Sequence, residues 1–167
     1  MPAEKTICPG CGLELESTET GLDDRFNASC ACRRLYDELS CFTLNQADAE
    51  FTHQLIVDAY CAQHAGPKVK TISIAFSLIG LYLVFERDYT GRQVQLAHMA
   101  LAKQSKQWHR FNPPPMTGTL TVSNVLNSIN GENYRKNIHD WAGSVWTAWA
   151  STHTQVAELA KRYLKLD

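Results

Sequence analysis

A chain of 167 residues fits a single domain, since domains usually hold roughly 100–150 residues. At this size roughly 70% of the unfolded chain's surface can be buried without covalent staples. An apolar fraction of 44% and a charged fraction of 20% exclude disorder over most of the length. Sixteen Lys and Arg against seventeen Asp and Glu leave a net charge of −1. The broad basic face of a phosphate-backbone binder is missing, so nucleic acid is not expected as a partner.

The segment Met1-Pro2-Ala3-Glu4-Lys5 runs into Cys8 without the apolar stretch of an export signal. The longest apolar run, Thr71 to Phe85, is shorter than the roughly twenty residues of a membrane span and is interrupted by Ser73, Ser77 and Gly80. These features set the expectation of a cytoplasmic protein, with no membrane span, whose six cysteines are reduced thiols. Their chemistry is then metal binding or redox rather than disulfide bonding.

Residues 1–27 are rich in Gly, Thr, Asp and Glu around the knuckle Cys8-Pro9-Gly10-Cys11-Gly12. Residues 28–167 read as a helical bundle. Ser29 can cap a first helix that carries Cys32, Leu35, Tyr36 and Leu39 on one face. Asp48 can cap a second, with Phe51, Leu55, Ile56 and Tyr60 inward, ended by Gly66-Pro67. Pro67 suits the first turn of a third helix through Ile72, Phe76, Ile79 and Leu83, whose β-branched start gives a strand as the second choice. A fourth helix is expected from Arg92 to Trp108, and Phe111-Asn112-Pro113-Pro114-Pro115 must be extended. A short helix over Val122–Leu126 and one long final helix from Asn137 to Leu164 complete the chain. No repeat and no linker divides it. The expected fold is one mainly α domain, residues 1–167, with a zinc-knuckle-like N-terminal segment.

The knuckle is the sharpest local signal. Two thiolates separated by two residues can grip one ion, because the tight turn aims both sulfurs inward and glycine permits the backbone. A closed tetrahedral site needs two more ligands. Cys30 and Cys32 follow at suitable distance, but as Cys-Ala-Cys rather than a second C-x-x-C. Cys32 is the better third ligand, because it falls in the first turn of the helix capped by Ser29, where the macrodipole favours a thiolate. A thiol–disulfide role for Cys8 and Cys11 ranks below zinc, since too few residues precede Cys8 for the strand such motifs follow.

The second helix carries His53, Asp58, Tyr60, Cys61, Gln63 and His64. His53 and His64 share a helix face but stand about 16 Å apart along its axis. Only one of them can complete the knuckle site. The final helix aligns Trp146, Trp149 and His153 on one side, a stripe that belongs in the core, with an aromatic pocket rimmed by His153 as the alternative.

These residues resemble a bacterial family of domains of unknown function, the one numbered fifty-nine forty-six. The resemblance is carried by Cys8-Pro9-Gly10-Cys11-Gly12, by Ala31-Cys32-Arg33-Arg34-Leu35-Tyr36, and by Val57-Asp58-Ala59-Tyr60-Cys61-Ala62-Gln63-His64 with His53 before it. The stretch Trp141-Ala142-Gly143-Ser144-Val145-Trp146-Thr147-Ala148-Trp149, with His153, completes it. The resemblance implies Cys8, Cys11, Cys32, His53, Asp58, Tyr60, Gln63, His64 and His153 as the family's pattern, with Cys30, Cys41 and Cys61 as departures. It therefore implies a zinc site of three cysteines and one histidine, with His64 preferred, and it carries no activity.

Two functions compete on this footing. One is a binding or interaction module stabilised by structural zinc at Cys8, Cys11, Cys32 and His64, with a protein as partner. The other is a metal-dependent or acid–base enzyme, its pocket formed by His53, Asp58, His64 and His153 with Tyr60 and Gln63 beside them.

Overall fold

The computed structural model describes residues 2–104 and 107–167. The chain opens with an antiparallel hairpin, β1 (Glu4–Ile7) and β2 (Glu14–Ser17), in which Glu4 faces Ser17 and Ile7 faces Glu14. Helices α1 (Cys30–Leu44), α2 (His53–Gln63), α3 (Thr71–Arg87), α4 (Gly91–Ala102) and α5 (Val122–Leu126) follow. Helix α6 (Tyr134–Ala148), a single 3-10 turn at Ala150–Thr152 and α7 (His153–Leu164) end it. The expected architecture holds: a mainly helical fold behind a Cys-rich segment. No helix among the described residues is long and apolar enough to cross a membrane.

Local chemistry explains most of the boundaries. Ser29 caps α1, its hydroxyl accepting from the amide of Cys32 at 3.1 Å. Thr90 and Gln93 form a reciprocal capping box that starts α4. Asp48 does not cap α2 as expected. Its carboxylate accepts from the amides of Glu50 and Thr52 and organises the turn before the helix, which starts behind Thr52. Pro67 likewise lies ahead of α3 rather than in its first turn, because Lys70 is the N-cap. The α3 segment is helical, not a strand.

Two further expectations are corrected. Helix α4 closes at Ala102 and residues 107–110 are not helical, while residues 105 and 106 of the expected extension lie outside the described residues. The single long C-terminal helix breaks at Trp149. There the ring Nε2 of His153 hydrogen-bonds the carbonyl of Trp146 at 2.8 Å, and the Thr152 hydroxyl donates to the carbonyl of Trp149 at 2.8 Å. Side chains thus take carbonyls that a continuous helix would give to amides, and the chain turns. The hairpin was not expected either, although Leu13-Glu14-Leu15-Glu16 alternates with the period of a strand.

Helix α2 is the hub. It packs against α3, α6, α4 and α1, and every residue from Asp58 to His64 is buried. The tryptophans belong to this core, as the sequence argued. Trp141 donates from Nε1 to Gln63 Oε1 at 2.9 Å, Trp149 to the carbonyl of Ala62 at 3.2 Å, and Trp146 to Glu86 Oε1 at 2.9 Å. A buried indole N–H needs such an acceptor. Two of the three acceptors lie at the C-terminal end of α2, where the N-terminal segment also lands.

Candidate metal centre

The knuckle sits in the loop of the hairpin. The amide of Cys8 donates to the carbonyl of Leu13 at 2.9 Å, and the amide of Gly12 donates to the carbonyl of Cys8 at 2.9 Å. Gly12 takes φ +75°, a left-handed conformation that costs glycine little. Gly10 has no room for a side chain: a Cβ would lie 2.4 Å from the carbonyl oxygen of Asn27 and 2.6 Å from Cδ2 of His64. The knuckle backbone therefore lies directly on the end of α2. Two more bonds fix this approach, from the Asn27 amide to the carbonyl of His64 at 2.9 Å and from the Thr117 hydroxyl to the carbonyl of Gly10 at 3.0 Å.

This packing brings together the side chains of Cys8, Cys11, Cys32 and His64. Their ligand atoms all lie within 4.8 Å of one another, and among the described residues no other group of three or more His, Cys, Asp and Glu does so. Cys8, Cys32 and His64 are buried at 1%, 0% and 0% exposure, and only Cys11 retains some solvent contact. The Sγ atoms of Cys11 and Cys32 are 3.8 Å apart, and Cys32 Sγ is 3.4 Å from His64 Nε2. A tetrahedron with metal–sulfur bonds of about 2.3 Å and a metal–nitrogen bond of about 2.0 Å has S···S edges near 3.8 Å and S···N edges near 3.5 Å. The Cys11–Cys32 and Cys32–His64 separations match those edges. The cluster could hold a metal ion.

The surroundings prepare His64 and Cys32. His64 Nδ1 lies 2.9 Å from the carbonyl of Tyr60. A carbonyl only accepts, so Nδ1 carries the hydrogen and Nε2 presents its lone pair toward Cys32. The Tyr60 hydroxyl donates to Cys32 Sγ at 3.7 Å, and the Tyr60 ring stacks on that of His64 at 3.9 Å. Tyr36 stacks on the opposite face of this aromatic group, at 4.1 Å from Tyr60, and Phe26 meets Tyr60 edge-on.

The electrostatics of the thiols point the same way. Hydrogen bonds from Cys11 and Cys32 pull the Cys8 thiol far below its ordinary range. Cys11 is pulled down by Cys32 but pushed up further by Cys8 and by burial, to about 12. Cys32 is raised well above its ordinary value by Cys11 and Cys8, and burial adds to this. One thiolate forms readily and its charge opposes the next two. Three thiolates could share so small and dry a volume only with a cation among them.

The remaining sequence candidates have other partners. His53 Nδ1 bonds the Thr43 hydroxyl at 2.9 Å. His153 stacks on Trp146 at 3.6 Å and bonds its carbonyl. Gln63 is fully engaged, accepting from Trp141 and donating to the carbonyls of Leu120 and Thr117. Cys30 is absent from the cluster, although it lies only two residues before Cys32. Asp58 belongs to a separate group. Its Oδ1 accepts from Gln54 at 3.2 Å, while its buried Oδ2 has no hydrogen-bond partner and lies 3.9 Å from His98 Nε2. Burial holds the Asp58 carboxyl well above the usual carboxylate range and lowers His98 to about 4. Nothing in the sequence near Asp58 announces His98, which arrives from α4 against the gap left by Gly80.

Neither a curated protein nor a solved structure matches the chain. The profile of one family matches residues 6–150, which include all four clustered donors and the three tryptophans of α6 and its end. The chain belongs to that family of unknown function, DUF5946.

Proposed function

We propose that Cys8, Cys11, Cys32 and His64 bind one structural zinc ion, and that the protein is a binding or interaction module whose N-terminal segment the ion locks to the helical bundle. The convergence of these four donor atoms within 4.8 Å carries this reading. Three thiolates and one imidazole suit zinc, a borderline-soft ion that accepts a tetrahedron without geometric preference. Four protein ligands fill that tetrahedron and leave no open position, which favours a structural role over a catalytic one. The burial of Cys8, Cys32 and His64 supports the same choice.

The enzyme reading draws less support. His53 and His153 are bound to Thr43 and Trp146, and Asp58 pairs with Gln54 rather than with a histidine of α2. Metal analysis of protein purified without chelator tests the proposal. The expected result is one zinc per chain, lost in Cys8→Ser together with a lower melting temperature. A metal-free preparation with an ordered N-terminal segment would contradict it.

A further inference from the structure

The loop ahead of α1 and the turn into α3 face each other across two adjoining cavities. The larger, about 400 Å³, is lined by Arg25, Lys68 and Lys70 together with Asp24, Phe26 and Ser73. The smaller, about 130 Å³, is lined by Leu22, Phe26, Ala28 and Pro67, with Asp23 and Asn27 also at its wall. Phe26 and Lys68 line both.

The larger cavity is cationic in a chain whose overall charge is −1. Three basic side chains meet one carboxylate there, a local excess of two positive charges. None of the three cations has an ion-pair partner among the described residues. The neighbouring carboxylate that might neutralise them, Asp23, is engaged by Arg33 and by the amides of Arg25 and Phe26. The first turn of α3 opens beside this cavity with no acidic residue and no side-chain cap, so its dipole adds to the same field. Uncompensated like charges around a concave surface concentrate counter-ions of opposite sign. A doubly charged anion matches the excess.

We propose that this groove binds a phosphate monoester whose organic part is a flat, ring-sized group, the chemistry of a nucleoside monophosphate. The phosphoryl group sits among Arg25, Lys68 and Lys70, which supply charge-assisted hydrogen bonds. The ring enters the smaller cavity against Leu22 and Pro67, while Phe26, which lies under Arg25 and Arg33, backs the groove. The wall formed by residues 22–28 is the one that the metal centre pins, through the bond from Asn27 to His64 and the contact of Phe26 with Tyr60. The proposal therefore rests on the structural-metal reading for the shape of the groove.

Calorimetric titration of the full-length protein, with metal content measured on the same sample, tests it. The probes are the common ribonucleoside monophosphates, adenosine and inorganic phosphate. The expected result is saturable, salt-sensitive binding of at least one monophosphate, at least roughly tenfold tighter than adenosine or phosphate alone. Lys68 and Lys70 are exposed, so K68E/K70E keeps the fold by circular dichroism and weakens binding by roughly a hundredfold, about tenfold for each charge. Leu22→Ser weakens the nucleotide and leaves inorganic phosphate unchanged. Absence of binding at millimolar monophosphate by folded, metal-loaded protein overturns the groove and leaves the metal centre standing. Binding that survives K68E/K70E, or phosphate that binds as tightly as its esters, also overturns it. A folded, metal-free protein that still binds the nucleotide overturns the metal reading and not the groove.

Discussion

The N-terminal segment and the α2–α3 pair are held by different forces. In residues 2–29 the buried side chains are Cys8, Phe26, Ala28 and Ser29, and both strands of the hairpin are largely exposed. In α3 the chain is buried at Ile74, Ala75 and continuously from Ser77 to Leu83, against α2, α6 and α7. The first region has too little apolar surface to offset the entropy of ordering its backbone, and the second has ample. A segment without a core of its own can still be ordered if an ion binds only its folded form, because that binding energy becomes folding energy. Cys8 and Cys11 stand in the region where packing is weakest.

The largest expected effect that separates the two regions lies in the bundle. Trp141 is completely buried and satisfies Gln63. Trp141→Ala should lower the global unfolding free energy by about 3–5 kcal/mol, read from urea midpoints, with metal stoichiometry unchanged in the folded protein. A variant that instead lost metal before it lost stability would mean that the two regions are not separable.

Asp58 gives an effect of opposite sign. Its folded carboxyl is held well above the ordinary value of 3.8 by burial, with His98 neutral beside it and Cys61 and Tyr36 within its field. An acid whose folded value is raised binds its proton more tightly in the folded state. Its favourable contribution is complete below the unfolded value and is lost as pH rises through the folded one. Asp58→Asn should therefore stabilise the bundle at neutral pH by about 1–3 kcal/mol, and the gain should fade as pH falls toward 4. Melting temperatures measured across that range check it. A gain that is constant with pH would contradict the assignment to Asp58.

The smallest effect joins the regions. Ser29→Ala removes the cap that holds the amide of Cys32 and should cost about 1 kcal/mol. Chelator competition should show weaker metal binding in the same variant, because Cys32 is the proposed ligand in the turn that Ser29 orders. Unchanged metal affinity would mean that Cys32 is positioned by the core alone.

How much of this was legible follows from what is local. The apolar faces of α1 to α3 are written in short stretches, and the Ser29 cap and the 122–126 helix could be read from them, whereas the starts of α2 and α3 behind Thr52 and Lys70 could not. The pair Cys8 and Cys11 is equally local, because one turn makes both donors converge. Cys32 was favoured over Cys30 by helix position, and the cluster contains Cys32. The choice of His64 over His53 depends on where α2 ends and on what Asn27 bonds, which spacing alone does not contain. The break at Trp149 was illegible for a related reason: backbone propensity continues through it, and the side chains of Thr152 and His153 decide. The hairpin strands are too short to declare themselves before the knuckle pairs them. His98 meets Asp58 only through the packing of α4 on α2, and no local pattern foretells it.

The central claim is that an ion holds residues 2–29 while packing holds the bundle. Amide hydrogen exchange of the purified protein, with and without a strong chelator, tests it most directly. Removal of the metal should abolish protection in the hairpin and in the segment around Asn27, while the amides from Ile74 to Leu83 keep theirs. Unchanged protection in the hairpin, or loss of protection throughout α3, would contradict the account.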